Sequence, residues 1–258
     1  MAFDADLNAC AALVQKADPD RFLAVMAAPV AARRVLFPLY AMNVEVARAP
    51  WVTTEEMIAE MRLQWWRDAL GEIAGGGKVR RHEVVTPLAA AISPEIARAL
   101  DELVSARRWD IYKDPFEDAA DFARHIDRTS GALLWAAASS MGAAEEGVVR
   151  DFGYAAGVAN WLRAVPELAA RRRVPLLDGT PEGLRALARD ALARLHRARA
   201  KRGAVSREAA PALLAGWQAG AVLALAEAEP HRVAEGRLGR SAFANRVSLA
   251  LRAATGRW

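Results

Sequence analysis

Three pairs of ionisable side chains stand four residues apart in stretches that favour helix, a spacing that puts both members on one helix face. These pairs are Asp68 with Glu72, Asp110 with Asp114, and Asp121 with His125. Carboxylate pairs on two facing helices can hold Mg²⁺, which prefers a few carboxylates plus the phosphate oxygens of a substrate. Pro115, however, ends the helix just after Asp114, and carboxylates at a helix C-terminus face the negative end of its dipole. We therefore interpret all three pairs as solvated or salt-bridged groups and predict no metal site from them.

Other spacings that support known chemistries are missing from the sequence. The four histidines form no H-x-x-x-H pair, so no zinc site is predicted. No P-loop, dinucleotide fingerprint or G-x-S-x-G turn occurs either. Residue types and spacing alone thus assign no catalytic residue.

Composition favours a large protein with an anionic ligand or an acidic partner. The chain has 258 residues, of which 53% are hydrophobic, so roughly three quarters of its unfolded surface can be buried. The formal net charge is +4, which fits a diphosphate, an anionic lipid surface or an acidic protein. The basic residues are scattered and accompany no nucleic-acid-binding motif, so we predict no nucleic-acid partner.

Several features predict a cytoplasmic location. The only cysteine, Cys10, excludes an internal disulfide and suits a reducing compartment. Residues 1–10 lack the basic start and apolar centre of a secretory signal or transit peptide. The apolar stretch 213–228 is interrupted or too short for a transmembrane helix. We expect a cytoplasmic protein for which peripheral attachment to the inner membrane stays open, with Trp51 and Trp258 as candidates for a membrane or partner surface.

Helix-forming residues dominate the chain, and no alternating run of Val, Ile or Thr predicts a strand. Asp18 and Ser93, each followed by proline, are predicted N-caps, and a glycine run at 75–77 is a stop signal. Pro166 is expected to break the helix that contains it. The predicted helices cover residues 4–17, 20–28, 30–48, 54–74, 82–92, 94–113, 116–141, 145–170, 184–202, 207–229 and 241–254. No long linker divides them, so we predict an all-α helical bundle that forms a single domain over residues 1–258.

Residues 160–177 resemble the second signature of the squalene/phytoene synthase family, N-x-L-R-D-x-x-E-D followed by a basic G-R-x-x-L-P stretch. Asn160, Arg163 and Glu167 match this pattern, whereas Ala164 and Leu168 replace its two aspartates. Further blocks that are similar to the family occur in the family's order. They are RR at 33–34 with LYAMN at 39–43, RLQWWRDAL at 62–70, His82 with residues 84–88, and RWDIY at 108–112. The resemblance covers residues 21–177 and implies the isoprenoid-synthase type of helical fold.

The family's first aspartate motif, C-R-x-x-D-D-x-x-D, corresponds here to residues 43–51. Ala47, Arg48 and Trp51 stand where that motif has its three aspartates. In the family's enzymes these carboxylates hold the metal ions that neutralise a leaving diphosphate. The resemblance therefore implies the fold without its metal chemistry: no catalytic residue, no bound metal and no cofactor.

The same resemblance implies a set of polar residues near the family's cavity. Guanidinium groups bind phosphate through two hydrogen bonds, so the set is consistent with a metal-free pocket for an isoprenoid or anionic ligand. The alternative is that the arginines pair with Glu45, Glu60, Asp68 and Glu167 to join the helices, and we favour that interpretation. The candidates are Arg33, Arg34, Arg62, Arg67, Asn160, Arg163, Glu167 and Arg173.

The R-x-V-P form of residues 163–166 resembles one branch of the family, the complex I assembly factors. The leading hypothesis is a non-catalytic scaffold or assembly factor whose partners are subunits of a respiratory NADH dehydrogenase. One alternative is an active prenyl transferase that condenses two prenyl diphosphates head to head and requires Mg²⁺. The other is a metal-free binder of isoprenoids or anionic lipids.

Overall fold

Helices account for the regular structure of the computed structural model, which describes residues 5–112 and 114–258. The α-helices are α1 Ala5–Ala17, α2 Pro19–Ala27, α3 Arg33–Arg48, α4 Glu56–Ala74, α5 Val85–Ala91, α6 Pro94–Ala106, α7 Trp109–Tyr112, α8 Ala119–Ile126, α9 Ala132–Ser139, α10 Glu146–Ala170, α11 Pro181–Ala200, α12 Ala219–Ala228, α13 His231–Ala234 and α14 Ala242–Thr255. Short 3₁₀ segments occur at Val30–Ala32, Ala49–Trp51, Arg202–Ala204 and Ala210–Gly216, and a π-helical segment at Asp127–Gly131. Within the described ranges the only extended pairing is an isolated bridge between Ala144 and Val205. The predicted all-α class is confirmed.

Local signals in the sequence set several helix boundaries. The Asp18 side chain accepts a hydrogen bond from the backbone N–H of Arg21 at 3.0 Å, and Ser93 accepts one from that of Ile96 at 3.4 Å. Both predicted N-caps are thus confirmed. Helix α4 ends at Ala74, where the glycine run begins, and Gly76 adopts a φ of 67°. The predicted ends at residues 4 and 113 lie outside the described residues.

Three predicted helices are divided or displaced. The stretch 116–141 consists of α8, the π-helical segment and α9, and the stretch 94–113 is interrupted between α6 and α7. The stretch 207–229 begins as the 3₁₀ segment Ala210–Gly216, which includes Pro211, and becomes helical only from Ala219. Proline removes a backbone donor and glycine weakens helix, so both favour such interruptions.

The prediction that Pro166 breaks its helix is wrong. Helix α10 runs without interruption from Glu146 to Ala170, with Pro166 inside it. Its neighbours Leu162 and Val165 are buried. Burial of side chains of this size contributes about 1.5–3 kcal/mol each, which offsets the roughly 3 kcal/mol that an internal proline costs.

Helix α10 lies at the centre of the molecule, in contact with α9, α11, α12 and the π-helical segment. Two glycines allow a close approach of backbones there. A Cβ on Gly153 would lie 2.8 Å from Cα of Gly131, and one on Gly157 would lie 2.7 Å from Cβ of Ser130. The sequence places both glycines where the π-helical segment crosses α10, and this contact shapes the cavity described below.

The segment Ala210–Ala228 has the length and mean hydropathy, 1.2, of a membrane-spanning helix. Half of this window is buried inside the protein. It also combines the 3₁₀ segment with α12, and α12 packs against α10 and α11. These contacts give it the character of a core element.

Candidate functional site

A cavity of about 660 Å³ opens between the C-terminal half of α3, the π-helical segment, α10 and the start of α12. From α3 and the following 3₁₀ segment it is lined by Ala47, Arg48 and Trp51, and from α10 by Ala164 and Leu168. These five residues are those at the positions of the five aspartates in the two family motifs. The two motifs thus meet in one cavity, as the resemblance implies, but they bring apolar and cationic side chains to it.

Four carboxylates line this cavity, and each of them contacts an arginine of the same chain. The nitrogen–oxygen distances are 3.0 Å for Arg21–Asp18, 3.0 Å for Arg163–Asp20, 3.4 Å for Arg107–Asp110 and 2.7 Å for Arg171–Glu167. Within the described ranges no group of three or more His, Cys, Asp or Glu side chains could hold a metal ion. This donor set does not fit a Mg²⁺–diphosphate centre, because it offers separate carboxylates, each beside an arginine, instead of a cluster of carboxylates.

The inner wall carries polar atoms without a hydrogen-bond partner. Asn43 and His125 are 6% and 7% exposed, and the Asn43 Oδ1 and His125 Nε2 atoms are buried and unpaired. Gln218 Nε2, at the same cavity, is also unpaired. Buried polar atoms normally have a partner in the protein or in bound water. This wall could therefore receive hydrogen bonds from, and donate them to, a ligand or water molecules.

Burial keeps the imidazole of His125 uncharged. Desolvation, together with repulsion from Arg107, lowers the pKa of His125 to about 3, so the imidazole is neutral at physiological pH. Desolvation also raises the pKa of Asp110, against the opposing attraction of Arg107. The His125 ring packs against those of Trp109 and Trp161 at centroid distances of 5.5 and 5.3 Å. These aromatic groups make the surroundings of the imidazole apolar.

Arg173 has a structural position beside the cavity. Its guanidinium donates to the main-chain oxygens of Trp109, at 3.3 Å, and Asp110. It also lies 5.1 Å from the ring centroid of Trp51. Desolvation lowers the pKa of Arg173. The side chain joins the end of α10 to α7 and lines a smaller neighbouring cavity of about 240 Å³.

Apart from Arg173, the predicted site residues fall into two groups. Asn160, Arg163 and Glu167 line the main cavity. Arg33, Arg34, Arg62 and Arg67 do not, because α4 contributes no residue to its lining and only the distant half of α3 reaches it.

The arginines outside the cavity have other contacts. Arg33 donates to the main-chain oxygen of Met26 at 2.9 Å, and Arg67 forms a two-point ion pair with Asp101 at 2.7 and 2.9 Å. Arg34 and Arg62 are exposed. These arginines lie outside the cavity because of their positions on α3 and α4.

Arginines do form ion pairs between helices, but their partners differ from the predicted carboxylates. Glu167 pairs with Arg171 and not with Arg163, which pairs with Asp20 of α2. Of the remaining predicted acceptors, Glu45 pairs with Arg48 and Asp68 with Gln64 on the same helix, and Glu60 pairs with Arg108, just before α7. Sequence spacing identified the charged residues but not which helices meet.

The sequence did not reveal the role of Asn43 and His125 at the inner wall. His125 was paired with Asp121 by spacing, yet Asp121 contacts Arg124 and not the cavity. The nearby Trp and Phe residues were the only feature of the sequence that indicated the burial of His125. Trp258 is buried against Phe152, with ring centroids 5.1 Å apart, so its predicted surface position is wrong. Trp51 is half-buried beneath Arg171 at 4.6 Å.

The chain belongs to the squalene/phytoene synthase family, whose sequence model matches residues 14–176. The fold is similar to a dehydrosqualene synthase in complex with ligand, with a TM-score of 0.81 and 14% identity over 97% of this chain and 95% of that one. It is also similar to squalene synthase HpnC from Alicyclobacillus acidocaldarius, with a TM-score of 0.72 and 15% identity over 88% and 94% of the two chains. The predicted family and isoprenoid-synthase fold are confirmed.

Among curated proteins the chain is similar to relatives from animals. One is the NADH dehydrogenase (ubiquinone) complex I, assembly factor 6 homolog of Drosophila melanogaster, with 28% identity over 183 residues, 65% of this chain and 53% of the relative. Assembly factor 6 of Bos taurus and that of Homo sapiens are each 24% identical over 64% of this chain and 51% of their own length. The chain thus spans about half the length of the curated relatives it matches.

Proposed function

We propose that this protein is a non-catalytic member of its family that acts as an assembly factor for a respiratory NADH dehydrogenase. The observation that carries the proposal is that every carboxylate lining the cavity contacts an arginine of the chain. The names of the animal relatives support the pathway. We place the protein in the cytoplasm, at or near the inner membrane, and assign it no cofactor.

A methionine-rich surface on α4 suits a protein partner. Met57 and Met61, one helical turn apart, are exposed, and so is the neighbouring Ile58. Methionine side chains are flexible and adapt to the surfaces that they contact. Exposed apolar side chains in a cluster also mark interaction sites. We therefore assign this α4 surface to the binding of subunits.

A tagged pulldown from the native cell tests this assignment. The wild-type protein is expected to recover subunits of the NADH dehydrogenase, and the variant Met57→Asp/Met61→Asp to recover few of them. Arg62→Glu, an exposed change on the same helix, serves as the control for altered charge. Recovery of no respiratory subunit by the wild type would contradict the proposal.

An enzymatic assay separates the scaffold from an active prenyl transferase. Purified protein is incubated with Mg²⁺ and farnesyl or geranylgeranyl diphosphate, and released diphosphate is measured. We expect none above background, because Asp20 and Glu167 are both held by arginines. Release that Glu167→Ala abolishes would instead support the condensation of two prenyl diphosphates.

A second candidate function is the binding of an isoprenoid or anionic ligand without metal. It is favoured by the unpaired Asn43 Oδ1 and His125 Nε2 atoms at the inner wall. Farnesol and farnesyl diphosphate, each with a chelator, are compared by thermal shift. A rise in Tm that Asn43→Leu removes would support this function, and the absence of any shift would exclude these ligands.

A further inference from the structure

Helix α14 presents an apolar stripe to solvent. Phe243, Val247 and Leu251 follow each other at intervals of four residues, so they lie on one face. They are 78%, 42% and 61% exposed. Leu249, on another face, is buried and fixes the helix to the protein, where α14 contacts α2. The face of α14 that carries Leu249 thus packs against the protein, and the face that carries the stripe remains exposed to solvent.

Positive charge predominates in and beside α14. Residues 236–258 contain five arginines and no aspartate or glutamate. The arginines are Arg237, Arg240, Arg246, Arg252 and Arg257. Arg237 pairs with Glu235 at 3.2 Å, whereas Arg240, Arg246 and Arg257 are exposed and form no ion pair within the ranges that the structure describes. Three exposed arginines without an ion pair thus accompany the stripe of large apolar side chains.

Two more arginines extend this charge at the edge of α14. Arg199 and Arg202 each donate to the main-chain oxygen of Trp258 at 2.9 Å. Desolvation and the proximity of Arg202 and Arg240 lower the pKa of Arg252. The positive charges of Arg202, Arg240 and Arg252 repel one another, so the surface around α14 favours an anionic partner.

We propose that α14 docks onto the surface of an anionic phospholipid bilayer. Phe243, Val247 and Leu251 enter the boundary between headgroups and acyl chains, and the arginines contact the lipid phosphates. An apolar face flanked by arginines on the polar side is the pattern of helices that lie in the membrane interface. Anionic lipids attract each basic residue near the surface. The proposal does not depend on the assembly function.

A vesicle flotation assay with the full chain tests the proposal. Vesicles of phosphatidylcholine are compared with vesicles in which part of this lipid is replaced by phosphatidylglycerol. We expect binding to the anionic vesicles only, and we expect it to weaken as salt is raised, because salt screens the attraction. Binding to neither kind of vesicle would overturn the proposal, as would equal binding to both.

Substitutions on α14 locate the contact. Phe243→Ala is expected to weaken vesicle binding by at least about tenfold through the loss of apolar burial. Arg246→Ala is expected to weaken it by about fivefold. Leu177→Ala, which truncates another exposed apolar side chain, and Arg62→Ala on α4 are the matched controls and should leave it unchanged. Vesicle binding by Phe243→Ala that equals wild-type binding would show that this face does not bind lipid. The same conclusion would follow if Phe243→Ala still bound vesicles but no longer recovered a protein that the wild type recovers in a pulldown.

A labelled variant provides a test that does not rely on loss of binding. Cys10 is the only cysteine and is buried, so a polarity-sensitive dye can be attached selectively to Phe243→Cys. Its emission should shift to the blue with anionic vesicles. If the emission of vesicle-bound protein is unchanged, α14 does not enter the bilayer. The same conclusion would follow if analytical ultracentrifugation showed an oligomer of the protein that the substitution Leu251→Ala abolishes.

Discussion

At the residue scale, the cavity combines arginine–carboxylate pairs with neutral polar groups on its inner wall. Arg163 and Arg171 hold Asp20 and Glu167 at 3.0 and 2.7 Å. Such pairs reduce the capacity of the carboxylates to bind a cation. Further in, His125 is neutral because a buried imidazolium would lose its hydration. These residues favour recognition of a ligand or partner over the ionisation of a diphosphate.

Neutral His125 predicts a specific dependence of stability on pH. The pKa of His125 falls from 6.5 to about 3 in the folded protein. The unfolded state therefore binds more protons between these values. The contribution of His125 is fully present above pH 6.5 and is lost as pH falls, at up to about 1.4 kcal/mol per pH unit. Asp110, whose pKa is raised, contributes with the opposite sign.

Urea unfolding at several pH values measures this contribution. His125→Gln is expected to lose less stability than the wild type between about pH 6.5 and pH 5. The comparison cancels the effect of Asp110, which both proteins contain. His196→Gln, at an exposed position, is the control and should follow the wild type. Parallel curves for His125→Gln and the wild type would show that His125 is not buried in its neutral form.

At the element scale, the crossing of α10 and the π-helical segment depends on Gly153. An added Cβ would lie 2.8 Å from Cα of Gly131 and 3.2 Å from the main-chain oxygen of Ser130. Backbone atoms have little freedom to move aside, so overpacking should cost about 1–3 kcal/mol. We predict that Gly153→Ala lowers Tm, measured by circular dichroism. Gly147→Ala in the same helix, with open space around it, should be neutral or stabilising, and equal effects of the two would contradict the crossing.

The end of α10 stores strain at Arg172. This residue has a φ of 60°, in the left-handed region that favours glycine. We predict that Arg172→Gly raises the free energy of unfolding by up to about 1 kcal/mol. Arg171→Gly should lower it, since Arg171 contacts Glu167 and the ring of Trp51. A lower Tm for Arg172→Gly would show that α10 ends differently.

Local interactions explain which elements the sequence could predict. The boundaries at Asp18 and Ser93 depend on hydrogen bonds that span three residues, so their signals are visible in the chain. The uninterrupted course of α10 through Pro166 depends on burial against other helices. The same is true of the cavity, because Asn43 and His125 come from distant elements. Resemblance located two of its walls, but only packing shows that the carboxylates there are paired.

At the scale of the whole molecule, a synthase-like fold is combined with a cavity whose carboxylates all contact arginines. The overall similarity to the dehydrosqualene synthase is high, with a TM-score of 0.81, although identity is 14%. Two surfaces add to this frame: the methionine-rich surface of α4 and the basic, apolar face of α14. They imply that partners act on the outside of the molecule.

The amount of assembled NADH dehydrogenase in cells that lack the gene tests this account most directly. It is measured on native gels after complementation with the wild type or with Asp20→Asn/Glu167→Gln. We predict loss of the assembled complex on deletion and full restoration by both proteins, since the cavity carboxylates hold no metal in this account. Normal levels of the complex without the gene, or restoration by the wild type alone, would contradict a non-catalytic role in assembly.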